Sequence, residues 1–177
     1  MQRIVAGISS IEQHEQAIEQ TPDIYRPPCC PHCGIKVVWR HGRYHRKADL
    51  CHRGEANRNP VPILRYSCSA CRRTCSRLPE CIAPRRWYNW FIQEAWLRTA
   101  CQSAAAPPSP CPTPAQRTIG RWRHWLQERS RLFRFLLTSR FPDLGRASDD
   151  DGFWLGVFDA LGLSGAMTWC DQAFSVP

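Results

Sequence analysis

The chain has 177 residues, of which 43% are hydrophobic, so it can bury the core of one medium domain or two small ones. Its formal net charge is +9, and the positive charge is concentrated in residues 26–88, which carry fourteen Lys or Arg and three Asp or Glu. The N-terminus lacks the features of a secretory signal, and the longest apolar stretch (residues 152–170) contains Asp159 and five glycines or serines. We therefore expect a soluble, cytoplasmic protein without a membrane segment, whose basic middle binds a polyanion.

The first predicted part is an acidic N-terminal segment, residues 1–25, which carries one Arg and four Asp or Glu. A short helix is predicted over residues 8–20, because Ser9 or Ser10 can cap its start and Thr21-Pro22 ends it.

The second predicted part, residues 26–82, is rich in turn residues and short β-prone runs. Its predicted elements are a strand over residues 35–40, a turn at His41-Gly42, a return strand from Tyr44, a polar excursion over 49–61 and a strand over 63–68.

The rest of the chain has helical spacing and divides into a third part, residues 83–145, and a fourth part, residues 146–177. In the third part, apolar residues recur three or four apart from Trp87 to Cys101, and a proline-rich linker follows over residues 103–112. A second helix is predicted to start near Thr113-Pro114, and residues 130–140 either continue it or form another. In the fourth part, two short apolar helices are predicted around residues 153–161 and 164–173, after the acidic run at 149–151.

The strongest chemical signal is a pair of C-x2-C motifs, Cys30-Pro-His-Cys33 and Cys68-Ser-Ala-Cys71, with 34 residues between them. Each motif can form a tight turn that aims two thiolates at one point, and two such turns complete a tetrahedral shell that is closed to water. A metal ion would also supply stability that a segment of about sixty residues cannot obtain from its core alone. We therefore predict one structural Zn²⁺, held by Cys30, Cys33, Cys68 and Cys71. Chance spacing of reduced core cysteines is the weaker alternative.

Other histidines and cysteines were weighed as metal ligands. His41 and His45 have zinc-finger spacing, but they follow Cys33 too closely for the intervening helix of a finger. A second metal site near the polar excursion is the weaker alternative there, and solvent-exposed or half-buried thiols are the favoured interpretation. The residues concerned are Cys51, His52, Cys75 and Cys81.

The two motifs and their surroundings resemble the N-terminal zinc ribbon of bacterial insertion-sequence transposases and of their small DNA-binding accessory proteins. The resemblance rests on Cys30-Pro31-His32-Cys33-Gly34, on Arg40-His41-Gly42 with Tyr44, and on Arg65-Tyr66 leading through Cys68 and Cys71 to Arg72-Arg73-Thr74-Cys75-Ser76. It covers about residues 26–82 and extends weakly to 140. Cys75 stands where the family has Phe or Trp, so we interpret it as a small apolar filler, and the excursion makes this ribbon longer than usual.

The resemblance implies an α+β fold, in which a small β-rich zinc ribbon is followed by an all-helical, helix-turn-helix-like region that binds double-stranded DNA. The basic ribbon would hold phosphates, and its predicted DNA contacts are Lys36, Trp39, Arg40, Arg43, Arg46, Arg72 and Arg73. The recognition helix would be residues 114–127, because its polar face lies opposite Ile119, Trp122, Trp125 and Leu126. The predicted DNA contacts on that helix are Gln116, Arg117, Arg121, Arg123 and His124. An ordinary amphipathic surface helix is the alternative.

Catalysis is not expected. Transposases of this kind carry a separate RNase-H-like domain with three carboxylates, which this chain is too short to include after the ribbon and helices. The run Asp149-Asp150-Asp151 is better interpreted as a solvated or capping cluster, and the common phosphate-loop, metalloprotease and nucleophile motifs are missing from the sequence.

We therefore expect an accessory or regulatory transposition factor that binds element DNA and can contact a partner transposase or form a homo-oligomer through its C-terminal segment. The alternative is a protein-interaction adaptor, whose ribbon docks a partner transposase or polymerase. A third interpretation is the front part of a longer transposase.

Overall fold

The computed structural model describes residues 2–48, 58–84, 88–102 and 113–173, which divide into two compact units. The first unit ends at Asn89 and the second begins at Trp90. The whole linker predicted over residues 103–112 lies outside the described residues. So do parts of the predicted excursion, of the helix predicted from Trp87 and of the chain end.

The first unit is built on a four-stranded mixed sheet. Its strands are β1 (Gln2–Val5), β2 (Val38–Arg46), β3 (Val61–Cys68) and β4 (Thr74–Pro79), in the spatial order β1-β4-β3-β2. β3 is antiparallel to both β2 and β4, whereas β1 pairs with β4 in parallel. The N-terminal segment, predicted as a part of its own, therefore contributes a strand to the same sheet as the ribbon.

Helix α1 (Ile11–Gln20) follows β1 and lies within the predicted helix over residues 8–20. The Ser10 hydroxyl accepts a hydrogen bond from the Gln13 amide at 3.2 Å, and the Gln13 side chain accepts one from the Ser9 amide at 2.9 Å. These reciprocal bonds satisfy backbone donors that a helix start otherwise leaves unpaired. A short 3-10 helix, Pro22–Tyr25, follows, and its Tyr25 is fully buried.

The predicted turn at His41-Gly42 is wrong, because β2 runs through both residues without reversing. Its register against β3 shifts between Arg40 and Arg43, which places two residues of β2 opposite one of β3. Gly42 has a φ of 91°, a conformation that glycine adopts at little cost. The glycine therefore forms a β-bulge rather than a hairpin turn.

Alternation along β3 places apolar side chains on both faces of the sheet. On one face, Leu64, Tyr66 and Cys68 join a cluster with Val5, Ile8, Tyr25, Cys30, Val38 and Cys75. On the other face, Val61 and Ile63 join a second cluster with Ala48, Leu78 and Ile82. The first of these clusters contains three cysteines and extends up to the metal centre described below.

The second unit is helical, in agreement with the predicted α+β class with a helical C-terminal region. Its helices are α2 (Trp90–Cys101), α3 (Gln116–Glu128), α4 (Ser130–Arg140) and α5 (Asp150–Ala173), with a short 3-10 helix, Pro142–Arg146, before α5. The core includes aromatic side chains of α3, α4 and α5 in edge-to-face contact: Trp125 with Phe133, and Phe133 with Trp154.

Two details of these helices differ from the sequence pattern, namely the exposure of Phe91 and the start of α3. Phe91 belongs to the apolar run predicted from Trp87 to Cys101 but is 70% exposed, whereas Ile92 and Trp96 are buried. Helix α3 begins at Gln116 rather than near Thr113-Pro114, and Ala115 precedes it without a side-chain cap. α3 and α4 are separate helices with only Arg129 between them. α5 contains a kink at Gly162, which divides it close to where two short helices were predicted.

None of the helices among the described residues has the combination of length and apolar character needed to cross a membrane.

Candidate metal centre

The two C-x2-C motifs meet in space although 34 residues separate them in sequence. The sulfur atoms of Cys30, Cys33, Cys68 and Cys71 all lie within 4.8 Å of one another. The Cys30 and Cys71 sulfurs are 3.6 Å apart, and so are those of Cys33 and Cys68. A disulfide would hold two sulfurs about 2.05 Å apart. A tetrahedral ion with metal–sulfur bonds of about 2.3 Å would place its ligands about 3.8 Å apart. The four cysteines can therefore bind one metal ion.

The two turns that carry the cysteines have the same backbone geometry. The Gly34 amide donates to the Cys30 carbonyl at 2.8 Å, and the Arg72 amide donates to the Cys68 carbonyl at 3.0 Å. The amides of Cys30 and Cys68 donate in turn to the carbonyls of Ile35 and Arg73. The residue after each second cysteine has a left-handed backbone, with a φ of 75° at Gly34 and 56° at Arg72. Each turn thus aims two sulfurs at one point.

The electrostatics of the cluster favour a bound cation. Burial acts to raise the pKa of the Cys30 thiol, but hydrogen bonds from the His32 and Cys33 amides and from neighbouring sulfurs outweigh it and lower that pKa to about 7. The pKa of the Cys33 thiol is raised to about 12: its hydrogen bond with the Ile35 amide acts to lower the pKa, but partial desolvation of the sulfur and the adjacent sulfurs act more strongly together. Four sulfurs this close cannot all be thiolates without a neutralising charge, and a metal ion supplies it.

The metal centre continues into the core of the first unit. Cys30 and Cys68 are each 1% exposed and belong to the apolar cluster around Leu64 and Tyr66, whereas Cys33 is exposed. Cys75 is buried in the same cluster and is not part of the four-sulfur group. Of the other cysteines weighed as ligands, Cys81 packs against the second cluster, and Cys51 and His52 lie outside the described residues.

Most of the predicted ribbon contacts lie on or beside β2 at the edge of the sheet. Trp39 is 63% exposed, and Arg40 and Arg43 are exposed on the same strand. Three further predicted contacts are exposed near the cysteines: Lys36 just before β2, and Arg72 and Arg73 after the second motif. Arg46 differs, because it is half-buried, its Nη2 donates to the Ala83 carbonyl at 3.2 Å, and burial lowers its pKa.

The predicted recognition helix presents the expected faces in the second unit. Ile119, Trp122, Trp125 and Leu126 are buried. The five predicted contacts, Gln116, Arg117, Arg121, Arg123 and His124, are all exposed. Arg123 lies 3.5 Å from Asp151 in an exposed ion pair, and His124 lies 3.2 Å from Glu128. The turn of a helix-turn-helix has three or four residues. Neither connection of α3 has that length, because only Arg129 separates α3 from α4 and residues 102–115 lie between α2 and α3.

Two exposed apolar residues beside the metal centre were not predicted as functional. Ile35 and Val37 lie between the first cysteine motif and β2 and are 46% and 45% exposed. Both residues fall inside the strand predicted over residues 35–40, whereas β2 begins after them at Val38.

Comparison with curated proteins gave no match, and comparison with solved structures gave none. A family model does match, over residues 30–122. That range starts at the first cysteine of the metal centre and includes both C-x2-C motifs, β2 to β4, α2 and the first half of α3. Because the match covers more than half of the 177 residues, the chain belongs to this family, which is described as a domain of unknown function (DUF6431).

Proposed function

We propose that the chain is a zinc-ribbon DNA-binding protein that serves a bacterial mobile element as an accessory or regulatory transposition factor. The observation that carries this proposal is the four-cysteine cluster with a basic, aromatic edge strand beside it. Cys30, Cys33, Cys68 and Cys71 would hold the ion, and the exposed side chains of β2 would contact the nucleic acid.

Zinc is the metal that suits the centre best. Four thiolates are soft ligands that do not select calcium or magnesium, and a tetrahedral set of sulfurs is typical of zinc or of iron. Because all four coordination positions would be filled by the protein, the ion would have a structural rather than a catalytic role. A binding function, and not an enzymatic one, follows for this centre.

The charge around the centre supports a polyanionic partner. Residues 26–48 carry six Lys or Arg, residues 58–79 carry five, and neither stretch contains Asp or Glu. Arginine binds phosphate with a planar fork of donors, and an exposed indole such as that of Trp39 can stack on a base. The exposed residues Lys36, Arg40 and Arg43 would contact phosphates in a sequence-independent manner.

Helix α3 would supply base recognition. Gln and Arg side chains can bind adenine and guanine edges in the major groove, and Gln116, Arg117 and Arg121 are exposed on one helix. Only that exposed face supports base recognition, since the connections of α3 are not those of a standard helix-turn-helix.

One observation favours the adaptor function instead. Ile35 and Val37 expose apolar surface beside the cysteines, with the exposed Lys36 between them in sequence. Apolar surface next to a cation also suits a protein partner with an acidic rim. In that case Ile35→Ser with Val37→Ser would abolish partner binding without changing any affinity for DNA.

The first experiment combines elemental analysis of the reduced, purified protein with titration of random duplex DNA at two salt concentrations. We expect one zinc per chain and an affinity that falls steeply with salt. Replacing Arg40 and Arg43 by Gln should reduce the salt slope by about two. Arg58→Gln is the matched control, because Glu12 and Glu15 already pair with that guanidinium, each with a 2.6 Å contact.

The outcomes separate the proposals. One zinc per chain without DNA binding would favour the adaptor, and iron in place of zinc would change the metal assignment. An equal loss of affinity in the Arg58 control and in the Arg40 and Arg43 variant would contradict the β2 contacts. Arg121→Ala should weaken discrimination between a selected sequence and random DNA, and an equal effect on both would remove α3 as the recognition helix.

A further inference from the structure

One face of the sheet contains a polar cavity that the predicted contacts do not include. The cavity has a volume of about 250 Å³ and is lined by Gln2, Tyr44, Arg65, Thr74, Cys75 and Ser76, so that all four strands contribute to it. Gln2 pairs with Ser76 across β1 and β4. Arg65 lies on the same side of β3 as Ile63, and therefore on the face opposite Leu64 and Tyr66.

The Arg65 side chain is held in place without a carboxylate. Its guanidinium lies 5.1 Å from the centre of the Tyr44 ring, and among the described residues it has no acidic partner. The Tyr44 hydroxyl accepts a hydrogen bond from the Gln2 side-chain nitrogen, Nε2, at 2.9 Å. This bond fixes the ring and leaves the hydroxyl hydrogen to donate. A cation stacked on a fixed aromatic ring loses little side-chain freedom when it binds an anion.

The lining groups match an oxyanion. The Arg65 guanidinium offers a fork of N–H donors, and Tyr44, Thr74 and Ser76 each carry a hydroxyl that can donate. None of the lining side chains is acidic, and the strands β1 to β4 contain no Asp or Glu. A cavity of this size has room for a tetrahedral anion such as phosphate.

We propose that this cavity is a phosphate-binding site, with Arg65 as its principal ligand, and that it takes a backbone phosphate of the bound nucleic acid. The contact with nucleic acid rests on the proposed DNA-binding function. It would add one phosphate contact on the face of the sheet opposite Leu64 and Tyr66. Inorganic phosphate shares the chemistry and serves as the simplest probe.

The test uses the full zinc-loaded chain and four probes: inorganic phosphate, a single-stranded oligonucleotide, a random duplex and an acidic peptide. Changes in the NMR chemical shifts of the Gln2, Thr74 and Ser76 backbone amides report on the cavity. The affinity for nucleic acid at several salt concentrations reports on the number of phosphate contacts. Arg65→Gln should abolish the shifts caused by inorganic phosphate, weaken nucleic-acid binding about tenfold and lower the salt slope by about one. Arg65→Lys keeps the charge and should retain the salt slope while losing part of the affinity.

Arg40→Gln separates the two proposals, because Arg40 pairs opposite Tyr66 and so lies on the other face. It should weaken DNA binding but leave the phosphate-induced shifts intact. Unchanged affinity and salt slope in Arg65→Gln, with DNA binding of the natural chain intact, would overturn the phosphate site and leave the proposed function standing. The chain could show chemical-shift changes with inorganic phosphate but bind neither the oligonucleotide nor the duplex. That result would support the oxyanion site and remove the proposed function. Stronger perturbation by an acidic peptide than by phosphate or nucleic acid would overturn the site.

Discussion

His14 lies in the first unit with 1% of its surface exposed and with both ring nitrogens hydrogen-bonded. Nε2 lies 2.7 Å from the Pro62 carbonyl oxygen, which can only accept, so Nε2 carries the proton. Nδ1 lies 2.6 Å from the Tyr25 hydroxyl, which donates to it when the ring is neutral. The histidine therefore links helix α1, the 3-10 helix and β3 as a neutral side chain.

The pKa of His14 is lowered, chiefly because burial disfavours the imidazolium, and the hydrogen bond to Pro62 and the charge of Glu15 oppose this only in part. The unfolded chain therefore binds a proton more readily than the folded one. Stability is fully present above the unfolded pKa of about 6.5 and falls as pH drops from there toward the folded value. This residue can change the free energy of unfolding by up to about 1.4 kcal/mol per pH unit.

We predict that urea unfolding of the first unit between pH 7.5 and 5.5 shows this loss of free energy and that His14→Gln shows a smaller pH dependence. The glutamine variant is expected to be less stable at pH 7.5, because it cannot reproduce both hydrogen bonds. His41→Gln, at an exposed position of β2, serves as the control and should follow the natural chain. If both variants lose stability with the same pH profile as the natural chain, His14 is not the group responsible.

At the scale of elements, the kink in α5 depends on one glycine and one carboxylate. Gly162 has φ 65° and ψ 163°, which is a conformation that residues with a side chain hardly ever adopt. The amide of the next residue, Leu163, donates to Oε2 of Glu94 at 2.6 Å, and Arg98 joins Glu94 to Asp159 through ion pairs of 3.0 and 2.6 Å. A carboxylate of α2 thus satisfies a backbone donor at the new helix start.

Gly162→Ala should destabilise the second unit by about 1–3 kcal/mol, because the alanine would have to keep a left-handed backbone. Its Cβ would also lie 3.4 Å from Glu94 Oε2. Gly165→Ala is the matched control in the same element, since its Cβ would meet only Leu161 Cβ at an ordinary 3.8 Å. That substitution should stabilise the helix by roughly 0.5–1 kcal/mol. Denaturant unfolding measures both, and equal effects of the two substitutions would contradict the role of the kink.

Some elements of the fold can be predicted from a single sequence, and others cannot. Helix α1 and the buried face of α3 follow from caps and 3.6-residue spacing within one short segment, and the cysteine cluster follows from two local C-x2-C turns. β1 was missed because it has four residues and gains its stability from pairing with residues 76–79, far along the chain. The bulge at Gly42 was predicted as a turn because a positive φ suits both, and only pairing with β3 decides between them.

For the molecule as a whole, the predicted DNA contacts fall into two groups that the two units carry separately. The metal centre and β2 belong to the first unit, and α3 belongs to the second. The metal ligands were predictable because tetrahedral thiolate chemistry requires a particular spacing. The phosphate cavity was not, because Gln2, Tyr44, Arg65 and Ser76 lie on four different strands and meet only through the strand order.

The metal dependence of stability should follow the same division. Residues of the metal centre belong to the apolar cluster around Tyr25, Leu64 and Tyr66, so loss of an ion bound there would leave four thiols and the end of that cluster unsupported. Structural zinc contributes on the order of 10–16 kcal/mol of apparent binding free energy in small domains, which exceeds the usual stability of a domain. The second unit contains none of the four ligands and has its own aromatic core around Phe133 and Trp154.

We therefore predict that a chelator at neutral pH under reducing conditions abolishes hydrogen-exchange protection in β2 and β3, while the amides of α4 and α5 stay protected. Adding zinc back should restore the protection. Cys71→Ser should reproduce the chelated state, because it removes one ligand, whereas Cys75→Ala should bind zinc normally, because Cys75 is buried outside the four-sulfur group. Protection of β2 and β3 that survives chelation would mean that the ion is not structural, and the zinc ribbon would lose its physical basis.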